Sequence, residues 1–324
     1  MANKPKRLLI VTQVVDKGHP ILGFFHRWIE EFARHCELVT VICLQEGQHT
    51  LPGNVRVLSL GKEQGVSKGT YVVRFFRYIW KLRHEYDVVF VHMNPEYLVA
   101  AGWLWRLLRK RVALWYTHGT VNAKLRIAAF FAHRVFTASR ESFRLPSKKV
   151  CVTGHGIDTD LFTPDPNVRR GSHFLSVGRL MPSKRHDLVI RAAYAAGVPL
   201  RIVGDGPERE RLETFAKKLG ATVVFAGALP QEALVHEYQT ARAFVHTSET
   251  GSLDKVVLEA LACGCPVITT SAAYEGFPVR YAAALPEAIA KAAALHEETD
   301  RASAIIEKHS LAALIPRILQ ELTV

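Results

Sequence analysis

The sequence predicts an α/β protein made of two Rossmann-like domains, each built on a parallel sheet. With 324 residues, the chain is longer than a domain built around a single compact core usually is. Short continuous apolar runs alternate with longer amphipathic stretches, as expected for strands that are buried on both faces and connected by helices. This alternation occurs twice, and the segment 162–166, which contains two prolines, separates the two halves.

The apolar runs and amphipathic stretches predict the elements in chain order. In the first half, strands are predicted at residues 8–11, 38–43, 55–58, 88–91, 112–116, 134–137 and 150–152, and helices at 24–35, 71–84 and 97–109. In the second half, strands are predicted at residues 173–177, 200–203, 223–226, 243–247 and 267–269, with helices between them. The stretch 310–322 predicts a last helix, in which Pro316 is expected to force a kink.

The net charge of +12 is placed unevenly along the chain. Residues 1–163 hold 24 Lys or Arg and 12 Asp or Glu, whereas residues 164–324 hold 18 of each. The excess indicates an anionic partner for the first half. A membrane surface or an acidic acceptor is preferred over nucleic acid, because no helix-turn-helix, zinc-finger or RNP signature is present.

The cysteines and the start of the chain indicate the compartment. The five cysteines show no CxxC pair, and Cys263 and Cys265 are too close for an ordinary disulfide, so reduced thiols in the cytoplasm are expected. The basic and then apolar start enters a strand with no small-residue cleavage site, so we read it as part of the fold. The apolar stretch 97–109 is too short to span a bilayer.

Four segments of the second half place chemistry at the ends of strands. They read VGRLMPSK, IVGDGP, FAGALP and TSETGSLDKVVLEALACGCPVI. Because ligands of open α/β sheets bind outside the carboxyl ends of strands, these residues are expected on one rim. Arg179 and Lys184 bring two cations next to a helix start, which favours anions, and Glu259 brings a carboxylate suited to a sugar diol. The sequence therefore predicts a nucleoside diphosphate site.

The order of these segments resembles the donor-binding half of the retaining GT-B glycosyltransferases of the family-4 type. In the first half, the resemblance extends to Asp87-Val88-Val89, to the turn Thr117-His118-Gly119 and to the run from Gly154 to Pro164. The resemblance implies two domains that face each other across a cleft: an acceptor-side domain, 1–163, and a donor domain, 164–309. It also implies that the last helix, 310–324, packs back on the first domain.

The resemblance assigns roles to individual residues. Arg179 and Lys184 match the pair that holds the donor pyrophosphate, and Glu259 matches the second Glu of the E-x7-E element, which binds the ribose. His118 matches the active-site turn and is expected to orient the sugar beside the anomeric carbon, against the alternative of a satisfied buried imidazole.

The first Glu of that element is where this chain departs from the family. The expected position holds Gly251. Three alternatives stay open for the contact with the donor sugar: Glu249 on a longer loop, Asp254 as a substitute, or the backbone of Ser252 and Leu253.

Two glycine-containing turns are also candidates for ligand contact. Gly204 and Gly206 form a strand-to-helix turn, with Pro207 at the helix start, and are expected to let the donor approach the backbone. A dinucleotide fingerprint is excluded there, because Arg209 stands where a third glycine is needed. The turn with Gly18 and His19 is either a plain turn or a loop whose backbone N–H groups face phosphate or acceptor.

No metal or other cofactor is expected. Asp158-Thr159-Asp160 has the form of a metal-binding DxD element but lies inside the run that precedes the linker, so a structural role is preferred. The expected function is therefore metal-independent transfer of a hexose, with retention, from a nucleoside diphosphate sugar to an acceptor hydroxyl. The alternatives are a nucleotide-sugar epimerase of the same fold and a non-catalytic binder of nucleotide sugars or polyanions.

The charged first half predicts a surface contact. On the predicted helix 71–84, three basic residues form one stripe and five apolar residues the opposite face: Arg74, Arg77 and Lys81 against Val72, Phe75, Phe76, Ile79 and Leu82. We expect a cytoplasmic protein that attaches to the inner face of an anionic membrane, with a lipid-linked or glycan acceptor.

Overall fold

The computed structural model describes residues 7–19, 21–294 and 303–323, and the chain divides into two units. The first unit ends at Gly156 and resumes at Ser310, and the second comprises Ile157–His309. The boundary lies a few residues before the one predicted at 163. The reason is packing, because Ile157 and Phe162 are buried in the core of the second unit.

The first unit is built on seven parallel strands. They are β1 (Arg7–Val15), β2 (Leu38–Glu46), β3 (Val55–Ser59), β4 (Val88–His92), β5 (Arg111–Trp115), β6 (Arg134–Thr137) and β7 (Val150–Val152). Their order in the sheet is β3-β2-β1-β4-β5-β6-β7. In the central register, Leu8 pairs with both Val39 and Val88. The strands of the centre are mainly apolar because both faces of the sheet are covered.

Four helices connect these strands: α1 (Phe24–His35), α2 (Lys68–Lys81), α3 (Pro95–Leu107) and α4 (Ala123–Phe131). α2 begins three residues before its predicted start because the Ser67 side chain accepts a hydrogen bond from the Thr70 N–H and caps the helix. The side chain of Asn122 caps α4 in the same way, accepting from the Leu125 N–H. α1 packs on one face of the sheet, and α2, α3 and α4 share the core on the other face.

The predicted stripe on α2 is wrong at two positions. Arg74 does not extend into solvent but donates to the carbonyl of Leu60 at 3.2 Å and to Gln64 Oε1 at 3.0 Å. Val72, which was expected on the buried face, is 55% exposed. Phe75 and Ile79 are the residues of α2 that are buried.

The second unit is built on six parallel strands. They are β8 (Phe174–Val177), β9 (Leu200–Val203), β10 (Val223–Gly227), β11 (Ala243–His246), β12 (Val267–Thr269) and β13 (Arg280–Tyr281), in the order β10-β9-β8-β11-β12-β13. Its helices are α5 (His186–Ala195), α6 (Arg209–Leu219), α7 (Gln231–Thr240), α8 (Lys255–Ala262), α9 (Leu285–Ala294) and α10 (Ser303–Lys308).

The last helix, α11 (Leu311–Thr323), belongs to the first unit. Its apolar face joins α1 in one core through six buried side chains: Leu311, Leu314, Ile315, Ile318, Leu319 and Leu322. An ion pair at 3.1 Å between Arg134 Nε and Glu321 Oε2 adds to this contact. Since burying one such side chain is worth about 1.5–3 kcal/mol, α11 is an integral part of the first unit.

The strand orders locate where each sheet can bind a ligand. In both sheets the order reverses beside the first strand, between β1 and β4 and between β8 and β11. Ligands of open α/β sheets bind at the carboxyl ends of the strands at this switch point. We call the loops 16–23 and 93–94 the first rim, and the loops 178–185 and 247–254 the second rim. None of the helices within the described ranges is long and apolar enough to cross a membrane.

Candidate functional site

The second rim contains a charged pair that joins its two loops. Lys184 lies just before α5, and Asp254 is the residue that precedes α8. Lys184 Nζ donates to Asp254 Oδ2 at 2.6 Å and to Ser248 Oγ at 3.4 Å. The two side chains are only 23% and 15% exposed. Of the three alternatives for the missing Glu, the Asp254 carboxylate is therefore the one already tied to a predicted donor-binding cation.

Asp254 is held by further groups that the sequence did not suggest. His246 Nε2 lies 2.9 Å from the same carboxylate oxygen, and His246 Nδ1 lies 3.0 Å from Thr269 Oγ1. The Asp254 N–H donates to the Tyr274 hydroxyl. Burial alone would raise the pKa of Asp254, but the hydrogen bond from His246 and the charge of Lys184 hold this pKa well below its usual range. Asp254 is therefore an anion in the folded protein at neutral pH.

Arg179 is placed differently from Lys184. It follows Gly178 directly after β8, its side chain is exposed, and it has no side-chain partner among the described residues. Beneath it, the loop is fixed by backbone hydrogen bonds, such as the one from the Leu180 N–H to the Asp205 carbonyl at 2.9 Å. The second rim thus offers one free guanidinium beside an ammonium that is neutralised internally.

Glu249 is also part of an ion pair. Its carboxylate accepts from Arg185 Nη1, and its backbone N–H donates to the Ser183 carbonyl at 3.0 Å. The Glu249 side chain remains 60% exposed. The backbone alternative involves Ser252, whose hydroxyl donates to Thr250 Oγ1 at 3.3 Å, and Leu253, which is 8% exposed. The three alternatives for a contact with the donor sugar stay predictions.

Gly204 and Gly206 have a packing role that their sequence did not reveal. A Cβ atom at Gly204, where φ is 139°, would overlap the carbonyl oxygen of Gly178, and one at Gly206 would meet the carbonyl oxygen of Leu180. The space that a side chain would need is thus filled by the neighbouring loop of the same unit. These glycines let the loops after β8 and β9 lie against each other, which explains them without a ligand.

Glu259 lies inside the unit, on the buried side of α8. It is 3% exposed, with Oε1 at 3.1 Å from Lys255 Nζ and Oε2 accepting from the Tyr238 hydroxyl at 3.3 Å. Burial and the Glu259 charge raise the pKa of Tyr238 far above its usual range. Both carboxylate oxygens are therefore engaged, and the ribose contact assigned to Glu259 stays a prediction.

Comparison with known proteins identifies this half of the chain. Residues 166–284 match the family described as glycosyl transferases group 1. The matched segment covers little more than a third of the chain. The charged pair, the free guanidinium and the buried Glu259 all lie inside it.

Curated relatives match part of the chain. A GDP-mannose-dependent alpha-mannosyltransferase of Mycobacterium tuberculosis is 42% identical over 96 residues, which cover 30% of this chain and 24% of that protein. A GDP-mannose-dependent alpha-(1-6)-phosphatidylinositol monomannoside mannosyltransferase of Mycolicibacterium smegmatis is 36% identical over 137 residues, which cover 35% of this chain and 36% of that protein. The matched part thus spans a quarter to about a third of these relatives.

A solved structure matches the whole chain in fold. HepE from Anabaena, in complex with UDP, superposes with a TM-score of 0.75 at 17% identity, and the match covers 98% of this chain and 99% of that one. This likeness, together with the two parallel sheets, establishes the GT-B fold that the resemblance implied.

The first rim differs from the second rim in that the amides of its turn already have hydrogen-bond acceptors. Gly18 donates its N–H to Asp16 Oδ1 at 3.0 Å, and His19 Nδ1 accepts from the N–H groups of Ile21 and Leu22 at 3.2 and 3.0 Å. The Lys17 N–H donates to the carbonyl of Gln48. Of the two alternatives for this turn, the structure favours the plain turn, because these amides already have acceptors.

His118 lies on the exposed loop that follows β5. Its Nδ1 accepts from the Thr120 N–H at 3.2 Å, which leaves Nε2 directed away from this bond. The alternative of a buried imidazole is therefore wrong. The role of His118 in orienting a sugar stays a prediction.

Two histidines near the rims are buried and neutral. His92, at the end of β4, stacks on Phe25 with ring centroids 3.9 Å apart, and burial lowers its pKa to about 3. His186, in the first turn of α5, lies 3.1 Å from Ser176 Oγ, and burial followed by the charge of Lys184 lowers its pKa to about 4. Neither can serve as an exposed general base, so both are part of the scaffold.

Of the two residues missed from the sequence, one has a recognisable position. His246 is the last residue of β11 and thus lies at the switch point. A search for polar residues at the carboxyl ends of all predicted strands would have found it. Tyr274 gave no such signal. Within the described ranges, no group of three or more His, Cys, Asp or Glu could hold a metal ion. Metal independence nevertheless stays a prediction.

Proposed function

We propose that this protein transfers a sugar from a nucleoside diphosphate sugar to an acceptor hydroxyl, with retention and without a metal. The observation that carries the proposal is that the free Arg179 and the nearby Lys184 lie on the switch-point rim of a glycosyl transferases group 1 domain. Two cations at that place suit a diphosphate leaving group.

The proposed mechanism relies on positioning and on charge. As the bond between the sugar and the diphosphate breaks, negative charge grows on the phosphate oxygens, and Arg179 and Lys184 stabilise it. The acceptor hydroxyl passes its proton to the leaving phosphate, so no dedicated general base is required. Lys184 turns from Asp254 towards the phosphate, or contacts both, because its ammonium has three donors.

The donor and acceptor classes follow from chemistry and from the relatives. The names of two mannosyltransferase relatives make GDP-mannose the first donor to test, and the UDP complex of HepE makes UDP-glucose the second. For the acceptor we propose a glycan or a lipid-linked hydroxyl, reached by a cytoplasmic protein at the inner face of a membrane. The net charge of +12 supports an anionic surface there.

The pyrophosphate contact can be tested by calorimetry. Arg179→Ala and Lys184→Ala should each weaken nucleoside diphosphate binding by about 1.5–3 kcal/mol, the range of a charge-assisted hydrogen bond. Lys217→Ala, an exposed lysine on α6, is the matched control and should bind as the parent does. Unchanged affinity in both variants would rule out the assignment.

The reaction type can be tested with the donor that binds. Transfer to a sugar acceptor, followed by NMR of the anomeric configuration and repeated with EDTA, tests transfer, retention and metal independence separately. Release of an epimerised sugar would support the epimerase alternative, whereas donor binding without turnover would support a non-catalytic binder. His118→Ala should lower the transfer rate at unchanged donor affinity.

A further inference from the structure

The outer faces of α2, α3 and α4 carry an unusual number of exposed apolar side chains. Seven of the thirteen large apolar side chains exposed on the described residues lie on these helices: Val72, Val73, Trp80, Trp103, Leu107, Ile127 and Phe130. Val73, Leu107 and Phe130 are 68–71% exposed. A gathered set of this kind marks an interaction surface, whereas single exposed apolar residues do not.

The three helices present these side chains as one surface, which we call the helix face. The Phe75 ring of α2 lies 5.3 Å from Tyr97 and 6.1 Å from Trp105 of α3, measured between centroids. Arg106 of α3 donates to the carbonyl of Phe130 on α4 at 3.0 Å. Since all three helices cover one core on one side of the sheet, their outer sides point the same way.

The helix face carries a strong excess of positive charge. The three helices hold seven Lys or Arg residues and a single acidic residue, Glu96. Glu96 is already paired with Lys124 at 3.0 Å. Arg77, Lys81 and Arg126 are exposed and have no side-chain partner among the described residues. The surface therefore combines apolar tips with unpaired cations.

We propose that the helix face docks on an anionic lipid bilayer. Trp80, Trp103, Leu107 and Phe130 enter the interface between headgroups and acyl chains, where amphipathic aromatic rings are preferred. The cations around them contact lipid phosphates, with their aliphatic stems along the apolar surface. The proposal rests on the proposed function only in that a docked enzyme would meet a lipid-linked acceptor.

The charge pattern favours a bilayer over a second copy of the chain. An isologous contact would set the cationic helix faces of two copies against each other, and the one carboxylate on these helices, Glu96, is already paired with Lys124, which disfavours association. An anionic bilayer offers both a charge complement and a medium for the apolar tips. Binding should accordingly have an electrostatic part, which salt screens, and an apolar part, which salt does not screen.

The first experiment compares the protein with variants in vesicle flotation. Vesicles of phosphatidylcholine alone and with phosphatidylglycerol are used at low and high salt. The parent should bind the anionic vesicles at least tenfold more strongly than the neutral ones at low salt. Leu107→Ser/Phe130→Ser and Arg77→Glu/Lys81→Glu should each weaken this binding at least tenfold. Tyr194→Ser and Lys217→Glu/Lys218→Glu, exposed positions in the second unit, are the matched controls.

The tryptophans allow a second, residue-specific measurement. Trp80 and Trp103 are 54% and 51% exposed, whereas Trp28, Trp105 and Trp115 are at most 3% exposed and serve as an internal reference. Anionic vesicles with brominated acyl chains should quench the emission of the parent. In Trp80→Phe/Trp103→Phe, which keeps the apolar character, binding should persist while most of the quenching is lost.

Three results would overturn the proposal: no preference for anionic vesicles at low salt, binding that the helix-face variants leave unchanged, or no difference in quenching between the parent and the Phe variant. Self-association that Leu107→Ser/Phe130→Ser abolishes would instead identify a protein interface. Nucleoside diphosphate affinity is measured on the same samples. If the docking proposal alone is wrong, that affinity and transfer to a soluble acceptor persist; if the proposed function is wrong, they fail while vesicle binding remains.

Discussion

The two rims of this protein occupy the same topological position and are built differently. Each lies where the strand order reverses, between β1 and β4 in the first unit and between β8 and β11 in the second. The first rim is held by hydrogen bonds from the amides of the turn to His19, to backbone carbonyls and to Asp16 Oδ1, with no ion pair among its described residues. The second rim is held by charges, with Asp254 between Lys184 and His246. The same topology thus supports one rim whose amides already have acceptors and one rim whose loops are joined by an ion pair.

The difference lies in the side chains that the two switch points carry. Backbone N–H groups at the first rim point to acceptors of the protein itself, so they are not available to a phosphate. At the second rim, Arg179 is free and Lys184 is held in place by an internal carboxylate. The fold offers two places for a ligand, and only the second rim carries an exposed, unpaired guanidinium among the described residues.

The largest expected effect comes from removing the anion of the second rim. Asp254→Asn leaves the Lys184 ammonium and the buried His246 without their carboxylate, and it should lower the free energy of unfolding by about 3 kcal/mol. Because the pKa of Asp254 is lowered in the folded state, its stabilising contribution is present above about pH 5 and is lost as the pH falls below about 4. Urea unfolding between pH 3 and 7 measures both effects, and the variant should lack the steep acid loss. If the free energy of unfolding of Asp254→Asn fell with pH as steeply as that of the parent, the charge of Asp254 would not be what stabilises the second rim.

A smaller effect is expected from filling the space between two loops of the second unit. Gly204→Ala places a Cβ on the Gly178 carbonyl and should cost about 2 kcal/mol, since backbone must shift to make room. Gly197→Ala is the control, because a Cβ there would meet no atom within 4 Å while φ is 65°, so that variant isolates the backbone strain. Thermal unfolding of both variants checks this. Equal losses would mean that φ, and not the loop contact, explains Gly204.

The smallest effect is expected at the first rim. His19→Ala removes the acceptor of the Ile21 and Leu22 amides and should destabilise the protein by about 1 kcal/mol, because water can replace the imidazole at this partly exposed turn. Nucleoside diphosphate affinity, measured by calorimetry, should stay at the parent value. A marked loss of affinity would show that the first rim does contact the phosphates, and the contrast between the rims would then be wrong.

Much of the fold was predictable because it depends on local patterns. α1 was predicted at its observed bounds, since Phe25, Trp28, Ile29 and Phe32 form one apolar stripe. The short β13, with two residues, gave no such signal and was missed. Pro316 was predicted to lie inside the last helix, and it lies inside α11.

The candidate site was predictable in its residue types but not in its contacts. Arg179, Lys184 and Asp254 could be named because they follow strands in recognisable segments. That Asp254 neutralises Lys184 could not be predicted, because the two residues are 70 positions apart and meet only when β8 and β11 pair. The exposure of Val72 was likewise hidden, since its place on the predicted apolar face of the helix suggested burial.

The place of α11 in the first unit has a consequence for how the chain is made. On the ribosome, residues 157–309 emerge before α11, so the second unit can complete its fold while the first still lacks a helix. At 5–20 residues per second, that interval lasts on the order of ten seconds. During it, the apolar side of α1 and its sheet has no cover from the six side chains of α11. The first unit therefore cannot complete its core until the second unit has been synthesised.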